Sequence, residues 1–368
     1  MSGRAGVGLI GAGVISSQYL ENLTSFPDVE VRFVSDLDLP RAAAQADAFG
    51  VSGSGSVDEL LARDDIEIVL NLTIPATHAE VGRRIIGAGK HVWSEKPVAL
   101  DAGSASELLA AASSAGLRVA CAPDTVLGPG IQTALRAIAR GDIGEPLTAV
   151  TMFHVPGPES WHPNPDFLYA EGAGPLFDMG PYYVTTIVQA LGSATRVHAT
   201  SSRAREVRTI GSGPRAGQEF PVEVPTHYSA LIEFAGGASA QSTFSFQHAR
   251  PRAGFVEING TEGTLSLPDP NNFDGATTLW RAGGGESEVI EAEGAAFGRG
   301  TGVVELARAI RAGVPERASG RLASHVLDIL LGIRDAAASG MPVEIGSEAP
   351  VTTPLPMGWN PQEATLVD

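Results

Sequence analysis

The sequence predicts two domains, an α/β domain with a doubly wound parallel sheet and then an α+β domain with an antiparallel or mixed sheet. Short apolar runs alternate with helical segments from residue 7 to about 122, and extended segments later follow one another without helices between them. A glycine-rich turn follows the first apolar run. With 368 residues, 43% of them hydrophobic, the chain can bury a full core and favours two domains, which we place at 1–123 and 124–368.

The composition argues against several classes of function. Lys and Arg total 25 against 42 Asp and Glu, a formal charge of −17, which disfavours nucleic acid or an anionic membrane surface as a partner. No stretch approaches the ~20 apolar residues of a membrane span, and the N-terminus lacks a signal-peptide pattern. One cysteine, Cys121, excludes an internal disulfide and is predicted to be an inert core residue. We therefore expect a cytoplasmic protein.

From residue 7 to about 122, the sequence predicts strands and helices in alternation. Five short apolar, partly β-branched runs predict strands: VGLI, VEVRFVS, IEIVLNL, KHVW and LRVACA. Amphipathic or alanine-rich segments predict the helices between them: ISSQYLENLTSF, RAAAQADAF, SVDELLAR, HAEVGRRIIGAG and AGSASELLAAASSAG. This repetition indicates parallel pairing through right-handed crossovers.

After about residue 124 the pattern changes. Helices are predicted at GPGIQTALRAIARG and PLFDMGPYYVTTIVQALG, and later at GVVELARAIRAG and LASHVLDILLGIRDAAASG. Between these pairs lie six extended segments joined by glycine-containing turns: RVHATSSRA, HYSALIEFA, ASAQSTFSFQ, GFVEING, GTLSLP and ATTLWRA. Residues 203–225 are predicted as a polar surface excursion, and the tail from about 347 as an irregular strap. A large open sheet has a face that needs a cover, so we expect a homo-oligomer.

The turn GAGVIS has the features of a dinucleotide-binding turn. Gly11 allows a tight turn, and Gly13 lets a pyrophosphate approach the amides that Val14 and Ile15 contribute at the helix N-terminus. The third motif position is Ser16 rather than glycine. A purely structural turn is the alternative.

Asp36 ends the second predicted strand, a little over the usual ~20 residues after the turn. Its carboxylate would accept hydrogen bonds from the adenosine ribose and repel a 2′-phosphate, which favours NAD over NADP. Arg32 and Arg41 lie nearby in sequence and leave NADP open. The alternative role for Asp36 is a helix N-cap.

Two further segments follow strands at the carboxyl edge of the sheet, where open α/β folds bind ligands. In NLTIPATH, the residues Thr73, Pro75 and His78 could line the nicotinamide side, or they could form the turn and cap the helix. In WSEKPVAL, Lys96 could handle a proton beside the nicotinamide, or it could be a surface charge.

Four segments in this order, Gly-x-Gly, TIPATHAEV, GKHVWSEKPVAL and GAGPLFDMGPYY, resemble the Gfo/Idh/MocA oxidoreductases over nearly the whole chain. The resemblance implies an N-terminal Rossmann domain and a C-terminal domain on an open, mostly antiparallel sheet. It also implies that Lys96 is the catalytic lysine and that Glu95 and Pro97 shape its loop against the cofactor. The peptide bond before Pro97 can then be cis.

By the same resemblance, Asp178 matches the aspartate of the D-x-G-x-H motif of the family and is expected to hold a substrate hydroxyl. Tyr182 stands where that motif has histidine. An ammonium stabilises a phenolate, so a Lys96–Tyr182 pair can still move a proton near neutral pH. Asp178 and Tyr182 are spaced to share one helix face. The alternatives are a core-filling tyrosine and a charge at the helix start.

The loop SWHPNPDFLY is aromatic for a linker. Trp161, His162 and Tyr169 could stack on a sugar or hydrogen-bond to it, or they could pack within a surface loop. No motif with metal-ligand spacing is present, so we expect no metal.

We therefore predict an NAD(P)-dependent oxidoreductase, acting on a secondary alcohol or ketone of a sugar, polyol or related cyclic substrate. The substrate is expected between the nicotinamide and the sheet of the second domain. One alternative is a dinucleotide-binding regulator on the same fold, without catalysis. Another is an oxidoreductase that retains its cofactor and couples two sugars.

Overall fold

A computed structural model describes residues 3–350 and 352–366. Contacts divide the chain into two units. One comprises Met1–Pro129, Glu293–Leu327 and Thr352–Asp368, and the other Gly130–Ala292 and Asp328–Val351. By these contacts Glu293–Leu327 and Thr352–Asp368 belong to the first unit, whereas the prediction placed everything from residue 124 on in the second domain. A contact unit is not by itself a domain, so the boundary after residue 123 stays a prediction.

The first unit is built on a parallel sheet. Its strands are β1 (Ala5–Ile10), β2 (Val29–Ser35), β3 (Ser54–Gly55), β4 (Ile68–Asn71), β5 (His91–Ser94) and β6 (Val119–Cys121). Among the described residues they form a six-stranded sheet in the order β3-β2-β1-β4-β5-β6, with every neighbouring pair parallel. All of β1 is buried, as expected when helices cover both faces. The doubly wound prediction is confirmed.

The helices of this unit connect the strands as the sequence predicts. They are α1 (Val14–Leu23), α2 (Leu39–Phe49), α3 (Val57–Leu61), α4 (His78–Gly87) and α5 (Ala102–Ser114). The side chain of Asp38 caps α2 by accepting a hydrogen bond from the N–H of Arg41, and Gly50 ends α2 at a φ of +67°. The capping role considered for Asp36 therefore falls to Asp38. The thiol of Cys121 is buried, and burial raises its pKa well above the ordinary value.

The second unit is built on a larger sheet. Its strands are β7 (Pro146–His154), β8 (Ala194–Ser202), β9 (Val207–Thr209), β10 (Glu219–Pro221), β11 (His227–Phe234), β12 (Ser239–Ser245), β13 (Arg252–Gly260), β14 (Gly263–Leu267), β15 (Thr277–Arg281), β16 (Glu288–Ile290) and β17 (Val343–Glu344). Nine of them pair in the order β16-β15-β14-β13-β7-β12-β11-β8-β17. Within the described chain, β7–β12 is the one parallel pair of this sheet and the other pairs are antiparallel. The mostly antiparallel prediction is confirmed, although β7, which lies inside the sheet, was missed.

Four long helices complete the chain: α6 (Pro129–Arg140), α7 (Gly174–Leu191), α8 (Thr301–Ala312) and α9 (Gly320–Ser339). In the first unit, the indole of Trp93 packs against α8 so closely that a Cβ on Gly302 would lie 2.0 Å from it. In the second unit, α7 contacts β7, β11 and β12. None of the helices that the structure describes is long and apolar enough to cross a membrane.

Most of the segment 203–225 is exposed, as the sequence predicted, but the segment is not irregular throughout. It contains the antiparallel pair β9–β10, and Ile210, Phe220 and Val222 join a buried cluster with Tyr169 and Phe246. Ile210 directly follows β9, Phe220 lies in β10 and Val222 directly follows β10, whereas the glycines and arginines around them give the segment its polar composition.

Candidate active site

The two glycines of the turn after β1 have different surroundings. Gly11 has a φ of +105°, and a Cβ there would lie 2.6 Å from the carbonyl oxygen of Leu72, so this position requires glycine. A Cβ on Gly13 would meet no atom within 4 Å. The hydroxyl of Ser16 donates to the carbonyl oxygen of Gly13 (2.6 Å) and closes the first turn of α1. The N-terminal amides of α1 are thus approachable by an anion such as a pyrophosphate.

Asp36 lies directly after β2 and is 7% exposed. Its Oδ2 accepts a hydrogen bond from the backbone N–H of Ala12 (2.7 Å), and its Oδ1 accepts one from the N–H of Asp38 (2.9 Å). The guanidinium of Arg41 donates to both oxygens, with Nη2 2.6 Å from Oδ1. Burial acts to raise the pKa of Asp36, but these donors outweigh burial and hold that pKa below its usual value. Asp36 is therefore an ionised acceptor beside the glycine turn.

Three large apolar side chains are exposed at the same edge of the sheet. Val14 follows β1 and is 91% exposed, Leu37 follows β2 and is 97% exposed, and Ile74 follows β4 and is 66% exposed. These strands are neighbours in the order β2-β1-β4. Ile15, the next residue of α1, is partly buried. Exposed apolar side chains beside polar groups are typical of a ligand-binding surface.

The segment after β4 turns back on itself through Asn71, which is fully buried. The side-chain oxygen of Asn71 accepts a hydrogen bond from the hydroxyl of Thr73 (2.7 Å), and its nitrogen donates to the carbonyl oxygen of His78 (2.9 Å). Pro75 is exposed and opens a short 3-10 turn. His78 is 1% exposed, and its ring nitrogens lie 2.6 Å from the carbonyl oxygen of Pro97 and 3.0 Å from that of Thr73. The assignment of Thr73, Pro75 and His78 to the nicotinamide side stays a prediction.

Glu95, Lys96 and Pro97 follow β5 and are partly buried. The Lys96–Pro97 peptide bond is cis, as the family resemblance allowed. The Oε2 atom of Glu95 accepts a hydrogen bond from the backbone N–H of Lys96 (3.0 Å), and Oε1 accepts one from the hydroxyl of Tyr19 (2.8 Å). The glycine turn, Asp36 and the lysine thus all lie at carboxyl ends of strands in one parallel sheet, where such sheets bind ligands.

Lys96 also stands out by residue type. Of the 25 lysines and arginines, two are lysines, Lys90 and Lys96. The Nζ atom of Lys90 donates to the buried carbonyl oxygens of Arg63 (2.6 Å) and Ile66 (3.0 Å), so Lys90 has a structural role. A chain that otherwise uses arginine keeps a primary amine at position 96. An amine can exchange a proton, whereas a guanidinium stays charged. This contrast is present in the sequence itself, although none of the predictions rested on it.

In the second unit, Asp178 and Tyr182 lie one turn apart on α7. Every described residue from Gly174 to Val188 is buried except Asp178, which is partly exposed, and Tyr182 is 7% exposed. The carbonyl oxygen of Tyr182 accepts a hydrogen bond from the hydroxyl of Thr186 (2.9 Å). The two side chains are therefore on one helix face, as the spacing predicts. Their catalytic and substrate-binding roles stay predictions.

The aromatic loop between β7 and α7 is partly exposed and partly anchored. Trp161 is 68% exposed, Phe167 is 60% exposed, and both rings meet the ring of His162 edge to face at 5.5 and 5.4 Å. Tyr169 is fully buried and donates its hydroxyl hydrogen bond to Glu159. Tyr169 therefore belongs to the packed part of the loop, and sugar binding stays a prediction for Trp161 and His162. Among the described residues, no group of three His, Cys, Asp or Glu could hold a metal ion.

Family models match both parts of the chain. Residues 5–122 match the oxidoreductase family with an NAD-binding Rossmann fold, and residues 131–266 match the GFO/IDH/MocA C-terminal domain.

Individual proteins are similar to this chain over most of its length. An uncharacterized oxidoreductase of Rhizobium meliloti is 30% identical over 270 residues, which cover 72% of this chain and 75% of that protein. The 1,5-anhydro-D-fructose reductase of Ensifer adhaerens is 29% identical, covering 70% of this chain and 74% of that protein. The structure of levoglucosan dehydrogenase in complex with NADH and L-sorbose superposes with a TM-score of 0.80 at 22% identity, over 94% of this chain and 100% of that one, which shows the shared fold.

Proposed function

Because this chain belongs to the GFO/IDH/MocA family of oxidoreductases with an NAD-binding Rossmann fold, we propose that it is an NAD-dependent sugar or polyol dehydrogenase. It would exchange a hydride with a secondary alcohol, or the corresponding ketone, of a sugar, polyol or related cyclic compound. The sugar-acting relative, 1,5-anhydro-D-fructose reductase, supports this substrate class.

The observation that carries the proposal is the set of groups at the carboxyl edge of the parallel sheet. A nicotinamide dinucleotide fits these groups. Gly13 leaves the amides at the start of α1 approachable, Asp36 offers an ionised acceptor for a ribose, and Val14 and Leu37 offer apolar surface. The amine of Lys96 follows β5 at the same edge.

NAD is proposed over NADP because of Asp36. Its carboxylate would accept hydrogen bonds from ribose hydroxyls and repel a 2′-phosphate. Arg41 offsets part of that negative charge through its ion pair with Asp36 (2.6 Å). Arg32 pairs instead with Glu30 and Asp65, so it is not an unpaired cation awaiting a phosphate.

The bound dinucleotide would supply the hydride acceptor or donor, and the protein would handle the proton. Lys96 is proposed to exchange the proton of the substrate hydroxyl together with Tyr182, as the family resemblance implies. Asp178 is proposed to hold a second substrate hydroxyl, and Trp161 and His162 to contact the ring of the sugar. Fixing the reacting carbon in this way lowers the entropic part of the barrier.

The protein is also proposed to be a cytoplasmic homo-oligomer. In β11 and β15 of the nine-stranded sheet, buried side chains alternate with less buried ones. Leu231 in β11 and Trp280 in β15 are apolar side chains of the exposed set. Covering such side chains by a second copy would remove apolar surface from water.

A panel of sugars and polyols with NAD and NADP, followed by the absorbance of the reduced nicotinamide, tests the proposal. The Lys96→Met variant is expected to lose turnover and to keep NADH binding. Full turnover in this variant would refute the role of Lys96. A wild-type protein that binds NADH but turns over no compound of the panel would favour the regulator instead.

A further inference from the structure

Tyr19 lies on α1, the helix that follows the glycine turn. Its hydroxyl nevertheless contacts Glu95, which precedes Lys96 in the loop after β5. It is fully buried, and so is Trp93, whose indole N–H donates to the hydroxyl oxygen of Tyr19 (3.1 Å). An indole nitrogen can only donate, so the oxygen of Tyr19 must accept this hydrogen bond. The proton of Tyr19 is then directed at the other partner, Oε1 of Glu95, at 2.8 Å. The direction of both hydrogen bonds is thereby fixed.

Glu95 connects the hydroxyl of Tyr19 with the backbone of Lys96. Its Oε2 accepts a hydrogen bond from the backbone N–H of Lys96 (3.0 Å), while its own N–H donates to the carbonyl oxygen of Asn71 (2.9 Å). The carboxylate therefore has one oxygen on Tyr19 and the other on the peptide of Lys96. Without the hydroxyl of Tyr19, one carboxylate oxygen would lose its partner, and the carboxylate could rotate away from the lysine peptide.

The hydroxyl of Tyr19, which donates to Glu95, stays protonated. Burial raises the pKa of Tyr19 well above its ordinary value, and the charges of Glu95 and Asp124 add to the rise. The hydroxyl of Tyr19 therefore remains a neutral donor over the whole physiological pH range. The indole of Trp93 cannot move away either, because α8 packs against it at Gly302.

We infer that Tyr19 is a positioning residue that holds the loop of Lys96 for proton transfer by fixing the carboxylate of Glu95. Since Tyr19 belongs to α1, which begins directly after Gly13, it joins the proposed pyrophosphate end of the cofactor site, through Glu95, to the backbone N–H of Lys96. The inference rests on the proposed function, because it gives Lys96 the proton transfer that the proposal assigns to it.

The Tyr19→Phe variant tests this inference, because it removes the hydroxyl and keeps the ring. We expect kcat to fall about tenfold, the effect of one hydrogen bond to a charged group on the barrier, with the KM for NAD unchanged. The matched control is Tyr228→Phe, a buried tyrosine of the other unit, which should keep the wild-type kcat. An unchanged kcat in Tyr19→Phe would overturn the inference.

Lysine labelled with 13C at Cε gives a second readout that needs no substrate. The chain has two lysines, so two resonances are expected, and the one absent from Lys96→Met belongs to Lys96. In Tyr19→Phe the Lys96 resonance should shift or broaden, while that of Lys90 should stay in place and report an intact fold. Movement of both resonances would indicate a general structural role and overturn the inference, as would movement of neither. This readout remains decisive even if the panel of sugars reveals no activity.

Discussion

Gly11 and Gly13 are glycines for different physical reasons, although they belong to one turn. Gly11 is required by the fold, because its φ is +105° and a side chain there would collide with the backbone of Leu72. At Gly13 the backbone has an ordinary negative φ, and space for a side chain is available. Its glycine is explained by the ligand that we propose for this edge, since a methyl group would stand where a pyrophosphate approaches.

The variants Gly11→Ala and Gly13→Ala should therefore differ. Gly11→Ala is expected to lower the free energy of unfolding by at least about 1–2 kcal/mol, the cost of a side chain at positive φ. Gly13→Ala should unfold like the wild type but bind NADH more weakly. Urea denaturation and the fluorescence of bound NADH measure the two effects. Normal NADH binding by Gly13→Ala would contradict the proposed pyrophosphate contact.

Asp36 is the residue on which the choice of cofactor depends. In Asp36→Ser the carboxylate is gone, and Arg41 keeps the longer ion pair with Asp38 (3.8 Å) but loses its nearest acceptor, so its guanidinium becomes more available to a 2′-phosphate. The ratio of NADPH to NADH affinity should rise about tenfold, the effect of one charge-assisted hydrogen bond. Fluorescence titration with both cofactors measures the ratio. Asp38→Asn keeps a capping side chain on α2 and removes only the longer ion pair with Arg41 (3.8 Å), so it should raise the ratio much less.

At the scale of elements, the hairpin of β9 and β10 is attached to the aromatic loop by a buried cation. Arg208 has 4% of its side chain exposed. It forms an ion pair with Glu159 and donates to the carbonyl oxygens of Pro156 (2.8 Å) and Phe246 (2.6 Å). Its guanidinium also lies 5.2 Å from the centre of the Tyr169 ring. One arginine thus links the hairpin, the aromatic loop and the end of β12.

Replacing Arg208 should therefore be costly. Arg208→Met removes the counter-ion of Glu159, which keeps only the hydroxyl of Tyr169, and leaves two carbonyl groups without this donor. We expect a loss of about 3–5 kcal/mol in the free energy of unfolding. Arg215→Met removes the partly exposed pair with Asp166 and is the matched control, with an expected loss of at most about 1 kcal/mol. Denaturant unfolding compares the two. Equal losses would show that Arg208 does not anchor the hairpin.

At the scale of the whole molecule, the last described residues of the tail bind the side chain of Asp28. This carboxylate is 1% exposed. It accepts hydrogen bonds from the backbone N–H groups of Thr365 and Leu366 (2.8 Å each) and from the guanidinium of Arg308 (2.7 Å). Asp28 thus binds the end of the predicted irregular strap, and Arg308 also donates to the strap at the carbonyl oxygens of Asn360 and Glu363. Burial acts to raise the pKa of Asp28, but these donors outweigh it and lower that pKa below its ordinary value.

A carboxylate with a lowered pKa in the folded state stabilises the fold above its unfolded pKa, and this stabilisation is lost as the pH falls through the folded pKa. Asp28→Asn should therefore lower the free energy of unfolding by about 1–3 kcal/mol at pH 7. The difference from wild type should shrink below about pH 4. A difference that stays constant down to pH 3 would disprove the account. The control is Asp58→Asn, which loses an exposed ion pair with Arg84. Its free energy of unfolding should stay close to that of the wild type.

Local sequence patterns determined much of this protein. The alternation of strands and helices, the glycine turn and the strand ends that carry Asp36 and Lys96 depend on residues close together in the chain. Periodicity and turn residues encode such features directly. The replacement of a motif histidine by Tyr182 was equally visible. The structure describes every helix that the sequence predicted in the N-terminal half, with ends that differ by a few residues.

The tertiary structure alone decided the position of β7 and the hydrogen bonds between residues far apart in the chain. β7 owes its place to β12 and β13, which follow it by about a hundred residues. Tyr19 and Glu95 are 76 positions apart, and Asp28 and Thr365 are 337 apart. Such pairs meet only because the folded backbone brings them together. A hydrogen bond of this kind depends on distance and direction in space, which no pattern of neighbouring residues records.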